Sequence, residues 1–70
     1  MTVEELRERL LEYDQTLPVM VNGYEDGYDY IAFTVTKAAP VKRQVWYSGI
    51  YENAATGTKI LALERTQEET

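Results

Sequence analysis

The sequence predicts an α+β fold: one N-terminal helix packed on a four-stranded, mainly antiparallel sheet, in the order αββββ. Three observations carry that expectation. Residues 3–13 repeat apolar side chains at helical spacing. From residue 17 the pattern changes to the two-residue alternation of strands. Turn dipeptides and small polar stretches, including Asn22-Gly23, Asp26-Gly27, Ser48-Gly49 and residues 52–57, then punctuate the alternating runs.

The helix is expected over residues 3–13. Thr2 and Glu5 have the spacing of a capping box, in which the hydroxyl accepts from the third N–H and the carboxylate reaches back. Acidic side chains in the first turn suit the positive end of the helix dipole. Val3, Leu6, Leu10 and Tyr13, widened by Leu11, form an apolar stripe opposite Glu4, Glu5, Glu8, Arg9 and Glu12. Glu5 and Arg9 make a favourable pair one turn apart. So short a helix is marginal alone in water, so the stripe is expected to dock on the sheet.

A first strand is expected over residues 17–22, with Pro18 near its start, where a missing donor is tolerated. Residues 29–36 alternate as a second strand, with Ile31, Phe33 and Val35 facing the helix. Residues 37–40 are expected to break it. Residues 41–47 alternate again, and both faces carry polar interruptions; Val45 and Tyr47 are taken as inward. A last strand is expected over residues 58–65. One helix covers only part of one sheet face. The other face is expected to expose Met20, Tyr30, Ala32, Trp46, Ile60 and Ala62, a patch suited to a foreign partner or to a second copy of the chain.

Seventy residues support one domain, 1–70, with residues 66–70 expected to fray. A core this small supplies a net stability of only about 3–5 kcal/mol. The chain has no Cys and no His, so a disulfide or a thiolate/imidazole zinc site cannot supplement it. Twelve acidic against seven basic residues give a net charge of −5. That field repels polyphosphate and disfavours nucleic acid as the main partner. No apolar run approaches the roughly 20 residues of a membrane span. No secretory leader pattern is visible. The expected setting is cytoplasmic, with no membrane partner.

Residues 22–31 are the most informative segment, with three tyrosines, three carboxylates, two glycines and no basic residue. Glu25, Asp26 and Asp29 can in principle hold a hard cation. Their spacing does not match a calcium loop, and Asp also serves turns, so no metal or cofactor is expected. Catalysis has little to work with. Ser48 is the sole serine, no Ser/His or Cys/His pair exists, and the four glycines are scattered singly. Asp29, on a strand beside aromatic residues, is the best remaining acid, and nothing else supports a reaction. The chain is read as a non-enzyme.

Lys42, Arg43, Trp46 and Tyr47 have the local composition of a single-strand nucleic-acid binder, in which bases stack on aromatics and cations track phosphates. A half-buried strand looks the same. The tyrosines also have two readings: Tyr24, Tyr28, Tyr30, Tyr47 and Tyr51 either lid a thin core or give a partner large contact area at low entropic cost.

Thr2-Val3-Glu4-Glu5-Leu6, Leu10, Pro18-Val19-Met20-Val21 and Gly23-Tyr24-Glu25-Asp26-Gly27-Tyr28-Asp29 together resemble small proteins of bacteria and their mobile elements. Those open with a Thr-Val-x-Glu-Leu helix and a Pro-Val strand, followed by a Gly-Tyr-Glu-x-Gly-Tyr-Asp-Asp connection. The resemblance covers residues 2–31, and Tyr30 departs from the second Asp. It implies a fold and a genomic neighbourhood. Size and charge add an analogy to phage and mobile-element inhibitors of host defence complexes, anti-CRISPR proteins among them. The leading expectation is therefore a protein-binding module whose partner has a basic surface. Its expected contact residues are Tyr24, Glu25, Asp26, Tyr28, Asp29, Tyr30 and Trp46. The alternatives are a single-strand nucleic-acid binder and a structural homodimer.

Overall fold

Thr2 opens the helix as its spacing predicts. In the structure, a computed structural model that describes residues 1–69, the Thr2 hydroxyl accepts from the Glu5 N–H at 3.1 Å. The same hydroxyl donates to Glu5 Oε1 at 3.1 Å. The Glu5 carboxylate is thus turned toward Thr2, where the sequence predicts a pair with Arg9. Helix α1 spans Val3–Leu10 and stops short of the expected Tyr13. Leu11, Glu12 and Tyr13 instead donate to carbonyls three residues back, tightening the exit. Gln15 Nε2 then donates to the Leu10 and Tyr13 carbonyls at 2.9 and 2.8 Å. Those bonds satisfy acceptors that a helix end leaves open.

The expected first strand is cut to β1, Val21–Asn22. Upstream, Asp14 Oδ1 accepts from both the N–H and the hydroxyl of Thr16, and Leu17 N–H donates to the Asp14 carbonyl. That turn uses the donors a strand would need, and Pro18 has none to offer. Strand β2 runs over Tyr28–Pro40, well past its expected end. Its last residues pair with β3, Tyr51–Asn53, through Ala38↔Asn53, Ala39↔Glu52 and Pro40↔Tyr51. Pro40 closes the strand, where the lost donor does little harm.

The strand expected over residues 41–47 does not form. Ser48 Oγ takes both backbone groups of Val45, accepting from its N–H and donating to its carbonyl. This side chain replaces ladder partners and holds a turn. Strand β4, Thr58–Thr66, matches its expected place and pairs with β2. The result is one short helix and a four-stranded antiparallel sheet in which β2 is the shared strand.

The residues group into two compact units, 1–32 with 64–69, and 33–63. In the first, Ile31 is the buried apolar residue, at 8% exposure, with Leu6, Val21, Asp29, Ala32 and Thr66 half-buried around the same elements. Leu6 is the one residue of α1 that is partly covered; Val3 and Leu10, with Leu11 and Tyr13 beyond the helix, stay exposed. The expected docking of the whole stripe is therefore reduced to one side chain. Thr66 ends β4 rather than fraying, and its hydroxyl accepts from the Glu68 N–H. Thr70, the end of the expected frayed tail, lies outside the described residues.

In the second unit Ala38 is buried, at 4% exposure, and Thr36, Ile60 and Ala62 are half-buried. Val45 is half-buried as expected, but Tyr47 is exposed. Phe33 and Val35, expected inward, are exposed; Ala32, Ile60 and Ala62, expected bare, are half-buried. The alternation holds at each end of β2 and breaks in its middle, where Phe33, Thr34 and Val35 are all exposed. What changes is the side that is covered: odd positions 29 and 31 early in β2, even positions 36 and 38 later. The change falls where the strand passes from the first unit, through Ala32, to the second, from Phe33. Gly57 fixes the second unit's turn, since a Cβ there would overlap the Ala38 carbonyl.

Candidate functional site

β1 and β2 form a hairpin through Val21↔Asp29 and Asn22↔Tyr28. Its tip is built by Tyr24-Glu25-Asp26-Gly27, closed by Gly27 N–H donating to the Tyr24 carbonyl at 2.9 Å. Gly23 N–H donates to the Gly27 carbonyl at 2.8 Å just below it. Glu25 and Asp26 occupy the two central positions with φ of 52° and 61°. Positive φ at both centres is the requirement of a type I′ turn, which favours Asn-Gly or Asp-Gly there. Neither dipeptide of the sequence fills those positions. Two carboxylate residues do, at a cost of order 1 kcal/mol each for a non-glycine residue in the left-handed region.

The glycines serve another purpose. Neither Gly23 nor Gly27 has positive φ. A Cβ on Gly23 would come 2.8 Å from Asp29 Oδ2, so the missing side chain makes room for the Asp29 carboxylate. Asp29 is half-buried there. Asn22, Gly23, Asp26, Gly27 and Tyr28 line a small polar hollow of about 180 Å³.

Tyr24 is 77% exposed and Tyr28 is 67% exposed. Tyr30 is less open, and Glu25 and Asp26 are exposed at the tip. Six of the seven expected contact residues thus lie on one hairpin. Trp46 belongs to the second unit, in the turn segment of residues 41–50, and is 94% exposed. Its ring meets Tyr47 edge-to-face at 5.3 Å between centroids. Lys42 and Arg43 are exposed in the same segment.

Sequence reasoning missed Arg65. Its guanidinium lies over the Tyr24 ring, 3.8 Å from the centroid. No local pattern links residues so far apart in the chain; only the closure of the sheet does. A second feature missed is a cleft of about 340 Å³ beside the helix exit, with Leu10, Tyr13, Leu17, Pro18, Val19 and Met20 on its walls. Among the described residues no group of three or more acidic side chains is placed to hold a metal ion. Among them, too, no helix is long and apolar enough to cross a membrane.

No protein-family model, curated protein or solved structure matches the chain.

Proposed function

We propose that this chain is a non-enzymatic protein-interaction module that docks a partner with a basic surface through the β1–β2 hairpin. The observation that carries this reading is the hairpin tip: exposed phenol rings at Tyr24 and Tyr28 flank two carboxylates held in positive-φ backbone. A type I′ turn needs positive φ at both centres, but Asn-Gly would supply it at less cost than Glu25-Asp26, and strained positions cluster where a surface is used. Glu25 and Asp26 steer a cationic partner and raise the on-rate. Tyr24, Tyr28 and Tyr30 supply desolvated contact area. The most specific form of the proposal is a cytoplasmic phage or mobile-element inhibitor of a nucleic-acid-processing or defence complex. Small size and the net charge of −5 support it, because such complexes present basic grooves.

A second reading has its own observation. Trp46 is nearly fully exposed in a segment that also carries exposed Lys42, Arg43 and Tyr47. That is a stacking platform with cations for a single strand. Net charge opposes it, and binding of this kind would fall steeply with salt.

The test is capture of partners from lysate of the source cell with four baits: the natural chain, Glu25→Lys/Asp26→Lys, Tyr28→Ala and Trp46→Ala. The proposal predicts one protein retained by the natural chain and by Trp46→Ala, and lost by both hairpin variants. Equal retention by all four rejects the hairpin as the site. Loss only with Trp46→Ala, together with nuclease sensitivity, selects the nucleic-acid reading.

A further inference from the structure

We infer that the outer edge of β1, with the cleft beside the helix exit, takes an extended segment of a different protein. That segment adds to the sheet as a further strand and seats one large apolar side chain in the cleft. The first observation is the backbone. Among the described residues β1 pairs with β2 and with no other strand, so it ends the sheet. Gly23 N–H donates to the Gly27 carbonyl. Antiparallel pairs alternate between bonded and non-bonded, so Val21 bonds Asp29 and the backbone groups of Asn22 turn outward. Just upstream, neither Val19 nor Met20 has a hydrogen-bond partner among the described residues. An open edge of this kind is a template for another strand.

The second observation is the cleft. Its volume of about 340 Å³ is that of a small binding pocket. Leu10, Leu17, Val19 and Met20 line it and stay exposed. Met20 belongs to both features, as a cleft-lining residue and as the residue that precedes β1. A strand laid along this edge presents its side chains at alternate positions and so brings one of them to the cleft. Main-chain bonds then supply affinity, and the cleft selects the residue.

The third is charge. Asp14 also lines the cleft, and no basic residue does. Asp14 Oδ1 accepts both bonds from Thr16, and among the described residues nothing donates to Oδ2. The segment that fits therefore carries a large apolar side chain with a Lys or Arg close by, the cation facing Asp14. A second copy of this chain fits less well. β1 spans two residues and Pro18 has no donor to extend the ladder, so this edge paired with itself makes few bonds. The inference does not depend on the role of the hairpin tip.

The experiment selects heptapeptides from a random display library against the natural chain, then maps the strongest, made synthetically, by NMR. The expected peptides share a large apolar residue within two positions of a Lys or Arg. They should shift the Leu10 and Leu17 methyls and slow hydrogen exchange at the Met20 and Asn22 amides, in the natural chain and in Tyr28→Ala alike. Met20→Pro removes one open donor and should weaken binding about tenfold, whereas Met20→Leu should not. Because Met20→Pro can disturb the fold, the same peptide N-methylated at alternate residues gives a second readout on the natural chain. One methylated set should lose about tenfold in affinity and the other little, since only every second N–H of an added strand faces the edge. A library that enriches nothing overturns the inference, and so does binding indifferent to both methylated sets. Shifts confined to residues 24–28, or binding lost in Tyr28→Ala, assign the peptide to the hairpin and also overturn it. The same two amides protected without peptide, in a species of twice the 8.1 kDa chain mass, give the edge to a second copy and overturn it as well.

Discussion

The guanidinium of Arg65, near the end of β4, caps the face of the Tyr24 ring at the hairpin tip, 3.8 Å from its centroid. A cation so placed is attracted by the ring quadrupole, by about 0.5–1 kcal/mol at an exposed site. The contact ties the turn to the last strand at one tyrosine of the proposed docking surface. Arg65→Gln is expected to lower stability by about 0.5 kcal/mol, and Tyr24→Leu by a similar amount. A double-mutant cycle by denaturant unfolding should return a coupling of that size, whereas Tyr24→Phe should leave it intact.

Glu25 and Asp26 sit in backbone that Asn-Gly would occupy more comfortably. Glu25→Asn with Asp26→Gly should raise stability by about 1–2 kcal/mol, read from the urea midpoint at constant slope. The same variant should weaken partner binding, since it removes both tip carboxylates. Higher stability with unchanged binding would leave the strain without a functional cause.

Truncation of the exposed rings tests the contact surface itself. Tyr24→Ala and Tyr28→Ala should keep the fold and each weaken partner binding by more than about 1 kcal/mol, measured by titration calorimetry. Unchanged affinity in both would move the site off the hairpin.

Gly57 carries no side chain because the Ala38 carbonyl occupies that space. Gly57→Ala must displace backbone, and a loss above about 2 kcal/mol is expected in thermal or urea unfolding. Gly49→Ala is the control: its Cβ would meet the Tyr51 carbonyl at 3.4 Å, an ordinary contact.

Asp14 accepts from the Thr16 N–H at 2.9 Å and from its hydroxyl at 2.8 Å. The backbone bond first, and the hydroxyl second, hold its carboxyl below the ordinary carboxylate value. A lowered folded pKa means this contribution is present above the unfolded value and is lost as pH falls through the folded one. Thr16→Val should move the Asp14 titration upward in an NMR pH series. A titration unchanged by the substitution would assign the whole shift to the backbone bond.

Much of the architecture was legible because it is set by local pattern. The Thr2 cap, the start of the helix, the last strand and the core of the second strand follow from spacing over a few residues. The failures have side-chain causes. Gln15 and Asp14 build an exit that ends the helix early, and Ser48 takes the backbone groups of Val45 where alternation alone reads as a strand. The covered side of β2 was legible only up to Ile31, since from Phe33 the strand belongs to a second unit with its own buried residue, Ala38. At the site, the aromatic and acidic character of residues 22–31 was plain. Its geometry was not: Asn22-Gly23 and Asp26-Gly27 both advertise a turn centre, yet Glu25-Asp26 forms it. Arg65 was invisible because its contact with Tyr24 spans most of the chain.

A photo-crosslinking amino acid placed at Tyr28, with Thr34 as a control position, in the chain expressed in its source cell, tests the hairpin as the docking site. A covalent adduct at position 28 with a single basic-surfaced protein of different sequence, and none at position 34, is expected. Adducts at position 28 only with nucleic acid, or no adduct there while position 34 labels a protein, would contradict it.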